Sequence, residues 1–155
     1  MKKVLLIVIA IAIAAMAGFL PFNGTDIGKL HPVEVIRIAT ENGSVYIETD
    51  SGISGVGENL EGAIYDMKQS ASGNVFLETA NFVLIDALDS QLLLAIGEYF
   101  RPACQIYLYS GDGEMENIGK YLESHPSQVT ALSYRQGVEE IPHIIINGEE
   151  YRFAG

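Results

Sequence analysis

Tryptophan is absent from this chain of 155 residues, cysteine occurs once and histidine three times, and each scarcity removes a class of chemistry. Cys104, being alone, can form no disulfide within the chain and no thiolate metal cage. It opens an apolar run with Arg101 as the nearest positive charge in sequence, a setting that predicts a structural thiol rather than a reactive thiolate. His31, His125 and His143 never stand at ligand spacing, and the chain holds no H-E-x-x-H, no G-x-S-x-G and no local cysteine–histidine signature. Zinc and nucleophilic chemistry therefore lack sequence support. Basic charge is scarce too. Lys2 and Lys3 precede Asn23, so beyond it only seven Lys and Arg face all twenty Asp and Glu, a net of −13. A nucleic-acid surface needs clustered cations along a phosphate path, which excludes nucleic acid as a partner. The acidic balance suits solubility and repulsion from anionic lipid, or else a basic partner or a bound cation.

What the chain does have begins at its amino end. Lys2 and Lys3 are followed by residues 4–22, nineteen positions without a charge. As a helix that run spans roughly 28 Å, close to the hydrocarbon thickness of a bilayer, and the lysines hold its amino end inside. Residues 1–22 are expected to be a transmembrane anchor. The alternative is a cleaved signal peptide, since Ala15-Met16-Ala17 has the small-x-small form of a cleavage site. Either reading puts the domain outside the cytoplasm, at the cell membrane by a single pass or secreted. Residues 23–32 are polar and punctuated by Gly and Pro, a linker reaching at most roughly 35 Å.

The rest, residues 33–155, reads as one compact α/β domain, with an α+β arrangement as the alternative. Its centre is a β-α-β unit. Residues 82–86 form an apolar strand, Asp89 opens a helix whose Leu92, Leu93, Ile96, Tyr99 and Phe100 recur at helical spacing, and residues 104–111 form a second strand ending at Ser110-Gly111. Two Asn-Gly hairpins flank it. Turning at Asn42-Gly43 pairs Glu41 with Ser44 and Arg37 with Glu48, and collects Ile36, Ile38, Val45 and Ile47 on one face. Turning at Asn147-Gly148 sets His143 opposite Arg152 and collects Ile144, Ile146, Tyr151 and Phe153 on one face. Gly52, Gly55 and Gly57 read as turn chemistry ahead of a helix capped by Asn59 and striped by Leu60, Ala63, Ile64 and Met67. Residues 74–87 form either one bulged strand or a tight hairpin. A third helix carries Met115, Ile118, Tyr121 and Leu122, with Glu114 and Glu116 in its first turn and Pro126 beyond it. Residues 128–134 are expected to be a further strand. Three helices, seven or eight strands and a mixed sheet result.

The candidate site lies where adjacent parallel strands end. Asp86, Asp89 and Asp112 are hard oxygen donors of the kind Mg²⁺ or Ca²⁺ takes, placed at the carboxyl edge of the β-α-β unit. Each also has a local use: Asp89 and Asp112 as helix caps, Asp86 as the start of a turn. Residues 111–115 are too short for an EF-hand loop. The apolar start, the stretch from Thr25 to Gly52 (TDIGKLHPVEVIRIATENGSVYIETDSG) and ASGNVFLETANFVLID together resemble a group of small exported proteins of Gram-positive bacteria. That resemblance implies a location outside a single-membrane cell and carries no residue roles. The function expected is a membrane-tethered binding or assembly module that meets a protein partner at the cell surface, without a catalytic motif or cofactor. The alternative is a metal-assisted hydrolase using Asp86, Asp89 and Asp112 with Mg²⁺ or Ca²⁺.

Overall fold

The computed structural model describes residues 30–87, 89–115, 117–136 and 140–154. The anchor or signal peptide expected at residues 1–22 and the linker up to residue 29 lie outside them. No helix among the described residues is long and apolar enough to cross a membrane.

Seven strands form one mixed sheet, in the order β4 (Ser54–Gly57), β3 (Ser44–Thr49), β2 (Val35–Glu41), β6 (Phe82–Ile85), β7 (Gln105–Gly113), β8 (His143–Gly148) and β9 (Glu150–Phe153). Strand β2 runs parallel to β6, β6 to β7, and β7 to β8. Antiparallel partners close both ends: β3 and β4 beside β2, and β9 beside β8. The β-α-β unit with a hairpin on each side is therefore the arrangement the sequence suggests. A second, two-stranded parallel sheet joins β1 (Leu30–Pro32) to β5 (Asn74–Phe76), so the end of the expected linker is a strand.

The first hairpin has the expected register, with Glu41 opposite Ser44 and Arg37 opposite Glu48. Asn42 at φ 52° and Gly43 at φ 81° give the doubly left-handed turn that matches strand twist. The second hairpin is displaced by two residues. Asn147 pairs with Glu150, so the turn is Gly148-Glu149, with Gly148 at φ 63° in the first central position. Ile145, not His143, faces Arg152. A shift of two preserves which side chains share a face, so the apolar face is as expected.

Each face of the sheet has its own core. On the first, Ile36, Ile38, Ile47, Val83, Ile85 and Ile106 pack beneath α1 (Leu60–Ser70) and α2 (Ser90–Tyr99). Asn59 caps α1 by accepting from Gly62 N–H at 2.9 Å, and Asp89 caps α2 through Gln91 N–H at 2.7 Å. Cys104 is fully buried here, and burial pushes its thiol up to about 12, as befits a structural residue. On the second face, Val35, Leu84, Tyr107, Tyr109, Ile144 and Ile146 pack with Ile118 and Leu122 of α3 (Ile118–Ser124).

Four sequence expectations are corrected. Residues 128–134 are not a strand: α4 (Ala131–Arg135) begins there, because Thr130 Oγ1 accepts from Ser133 N–H at 3.1 Å while Ser133 Oγ accepts from Thr130 N–H at 2.7 Å. Residues 74–87 are neither one strand nor a hairpin, since a 3₁₀ turn at Leu77–Thr79 separates β5 from β6. Gly52 is a turn residue at φ 77°, as expected, but Gly55 and Gly57 lie in an edge strand. A Cβ on Gly55 would sit 2.4 Å from Ala63 O, and one on Gly57 2.3 Å from Ala63 N, so their absence of side chains lets α1 lie directly on β4. Finally, β7 runs through Ser110-Gly111 to Gly113, which makes Asp112 a strand residue and not a helix cap; Asn117 precedes α3.

Candidate binding groove

Helix α3 is short, and it covers the second face from Val35, at the amino end of β2, across the β6–β9 side. Over the rest of β2 and over β3 and β4 that face is open. Strand β7 continues past its last pairing with β6, Ile85 with Leu108, and its far end forms one wall of a groove of about 1050 Å³. Arg37 and Ala39 of β2, Tyr46 and Glu48 of β3 and Val56 of β4 line the floor, Tyr109 and Asp112 line the wall, and the same space continues round the β4 edge to Asp66 and Ser70 of α1. Tyr46 and Val56, 42% and 43% exposed, are large apolar side chains left in solvent on a face that is core elsewhere.

Arg37 organises the polar part. Its Nε donates to Glu48 Oε2 at 3.0 Å, its Nη2 contacts the same oxygen, and Nη1 donates to Gly113 O at 3.5 Å. Nη1 also lies 3.7 Å from Asp112 Oδ1, and the guanidinium carbon sits 6.0 Å from the centre of the Tyr109 ring. The arginine is thus held in one pose by a strand partner, a carbonyl and an aromatic face. Asp112 is different: its side chain is 99% exposed, so its charge remains available to a ligand. Burial pushes the Tyr109 hydroxyl above the usual phenol range; Arg37 opposes that, and Asp86, Glu48 and Asp112 add to it. Tyr109 is therefore a neutral phenol at ordinary pH. It can offer a hydrogen bond but not a base.

The three expected site residues have distinct fates. Asp86 Oδ2 accepts from Thr40 N–H at 2.9 Å and Asp86 N–H donates to Ile38 O, extending the β2–β6 pairing by a side chain. Asp89 is occupied as the α2 cap. Asp112 alone reaches the groove. Among the described residues no group of three or more His, Cys, Asp or Glu is arranged to hold a metal ion. The histidines stand apart as well: His143 Nε2 is 2.9 Å from Ser110 Oγ, His125 stacks on Tyr121 at 4.4 Å, and His31 Nε2 is 3.4 Å from Ser72 Oγ. The arrangement can bind, through one fixed cation, one exposed carboxylate and the apolar side chains of Tyr46 and Val56. Arg37 and Glu48 are legible in sequence as a cross-strand pair, but nothing local signals that the end of β7 meets them.

No protein-family model, curated protein or solved structure matches the chain.

Proposed function

We propose that the chain is a binding or assembly module, tethered at the outer face of the membrane by residues 4–22, whose binding surface is the groove over β2, β3 and β4. The observation that carries this reading is the uncovered part of the second face, where Tyr46 and Val56 stand in solvent beside the braced Arg37 and the exposed Asp112. Pre-ordering of the polar groups lowers the cost of binding, and exposed apolar area supplies its drive. The charge-free run after Lys2-Lys3 and the resemblance to exported proteins support the location.

A photo-crosslinking residue at Tyr46 in the full chain, in intact cells, tests it. The expected result is a discrete adduct that Val56→Lys removes and that the same probe at Tyr65, exposed on α1, does not give. Equal labelling from both positions, or none from position 46, overturns the groove. Stabilisation of the purified chain by Mg²⁺ or Ca²⁺, lost in both Asp86→Asn and Asp112→Asn, favours the metal-assisted hydrolase instead.

A further inference from the structure

The two edges of the seven-stranded sheet are finished differently. At β4 two of the outward groups are taken by side chains of α1: Val56 N–H donates to Asp66 Oδ2 at 2.9 Å, and Ser70 Oγ donates to Ser54 O at 3.1 Å. Side chains of a helix thus blunt that edge against pairing with another strand. At β9 the inward groups belong to Glu150, Arg152 and Ala154. Ala154 N–H donates to His143 O at 2.8 Å, and the pairs Ile145 with Arg152 and Asn147 with Glu150 follow at alternate positions. The main-chain groups of Tyr151 and Phe153 therefore point away from the sheet, and no residue among those described bonds to them.

The side chains of this edge are complementary to themselves. Glu150 and Arg152 are exposed, flank Tyr151, and point to the face opposite the aromatic cluster in which Tyr151 and Phe153 lie 5.5 and 5.9 Å from Tyr121. Neither has an ion-pair partner among the described residues. An antiparallel copy of β9 placed with a two-fold axis at Tyr151 sets Glu150 opposite Arg152 of the other copy, twice. In the same register Tyr151 exchanges both main-chain bonds with its counterpart, and Phe153 meets residue 149. Tyr151 and Phe153 are the positions whose groups point outward. One register satisfies the hydrogen bonds and the charges together.

We propose that β9 is a self-association edge, and that two copies of this chain join there into one continuous sheet through an isologous, two-fold contact. The contact lies at the opposite end of the sheet from the groove and does not depend on it. The test is sedimentation of the full chain in detergent, wild type against Glu150→Arg and Arg152→Glu. Wild type is expected to dimerise, and each reversal to weaken the dimer roughly tenfold or more, since two favourable pairs become two repulsive ones. Mixed together, the two variants restore both pairs, so a one-to-one heterodimer is expected from two chains that are monomeric alone. That result also shows both variants to be folded. A wild type that stays monomeric at high micromolar concentration overturns the proposal and leaves the edge to a strand of another protein. Reversals that leave the dimer intact, or a mixture that stays monomeric, overturn it as well.

Discussion

The two hairpins are built from similar parts and bury opposite faces. In β2–β3 the isoleucines Ile36, Ile38 and Ile47 point to the first face, under α1 and α2. In β8–β9, Ile144 and Ile146 point to the second, with Tyr151 and Phe153 packed beside α3's cluster. The helices are consequently offset: α1 and α2 lie over one side of the sheet on one face, and α3 lies over the other side on the reverse. Offset layers leave a sheet half-covered. At the first hairpin the uncovered surface is the groove, and its floor is the reverse side of the same strands whose other side is core. Position along a strand, odd or even, thus decides between core and binding surface.

That parity can be broken one residue at a time, and the effect should be large. Ile47→Ala and Ile144→Ala each remove a fully buried side chain and should cost roughly 2–5 kcal/mol. Their neighbours Tyr46→Ala and Ile145→Ala, on the reverse face of each strand, should stay within roughly 1 kcal/mol. Urea unfolding of the four variants measures this. Equal losses at Ile47 and Tyr46 would mean that the groove is packed, not open.

A medium effect sharpens the contrast between the hairpins, because only the first is bound to a helix through an extra edge strand. In Gly55→Ala the new methyl meets Ala63 O and Met67 N at 2.4 Å, so α1 must move off β4, at a cost of roughly 1–3 kcal/mol. Gly62→Ala is the control. Its Cβ would find nothing nearer than 3.5 Å and lies within a helix, so it should be neutral or stabilise by up to roughly 1 kcal/mol. Denaturant midpoints that do not separate the two variants would remove the close approach as the reason for the glycine.

The same residues show how much could be read beforehand. Asn42-Gly43 admits one register because both positions take positive φ, and that register was legible. At the second hairpin Asn147-Gly148 and Gly148-Glu149 are both acceptable turns, two residues apart in register, and burial of the same face cannot choose between them. Gly55 and Gly57 hide β4, since a strand is recognised by its side chains and these have none; their spacing of two was the available signal. Val129 and Ala131 are both buried at strand spacing, yet the Thr130–Ser133 hydroxyls turn the chain into α4. The Asp89 cap is local and legible, whereas the groove depends on how far β7 outruns β6 and on which face α3 takes. Neither is written in any short window.

The smallest effect is a pH dependence where the covered part of the second face meets the amino end of β2. Glu34 rests against α3, where a Cβ on Gly119 would come within 2.8 Å of its Oε2. Burial raises its carboxyl above the ordinary 4.5; the charges of Glu123 and Asp50 and a hydrogen bond with Glu123 add to this, and Lys120 opposes it. The folded chain therefore holds this proton more tightly than the unfolded chain does. The resulting stability is fully present below the ordinary value and is lost as pH rises through the raised one. Glu34→Gln keeps the shape and a donor toward Glu123 but has no proton to lose. Below the ordinary glutamate range the variant and wild type should melt together, and above the raised value the variant should melt higher, by less than either packing loss above. Parallel melting curves for the two chains across the whole acid range would show that Glu34 is solvated like any surface carboxylate, and that α3 does not press on it.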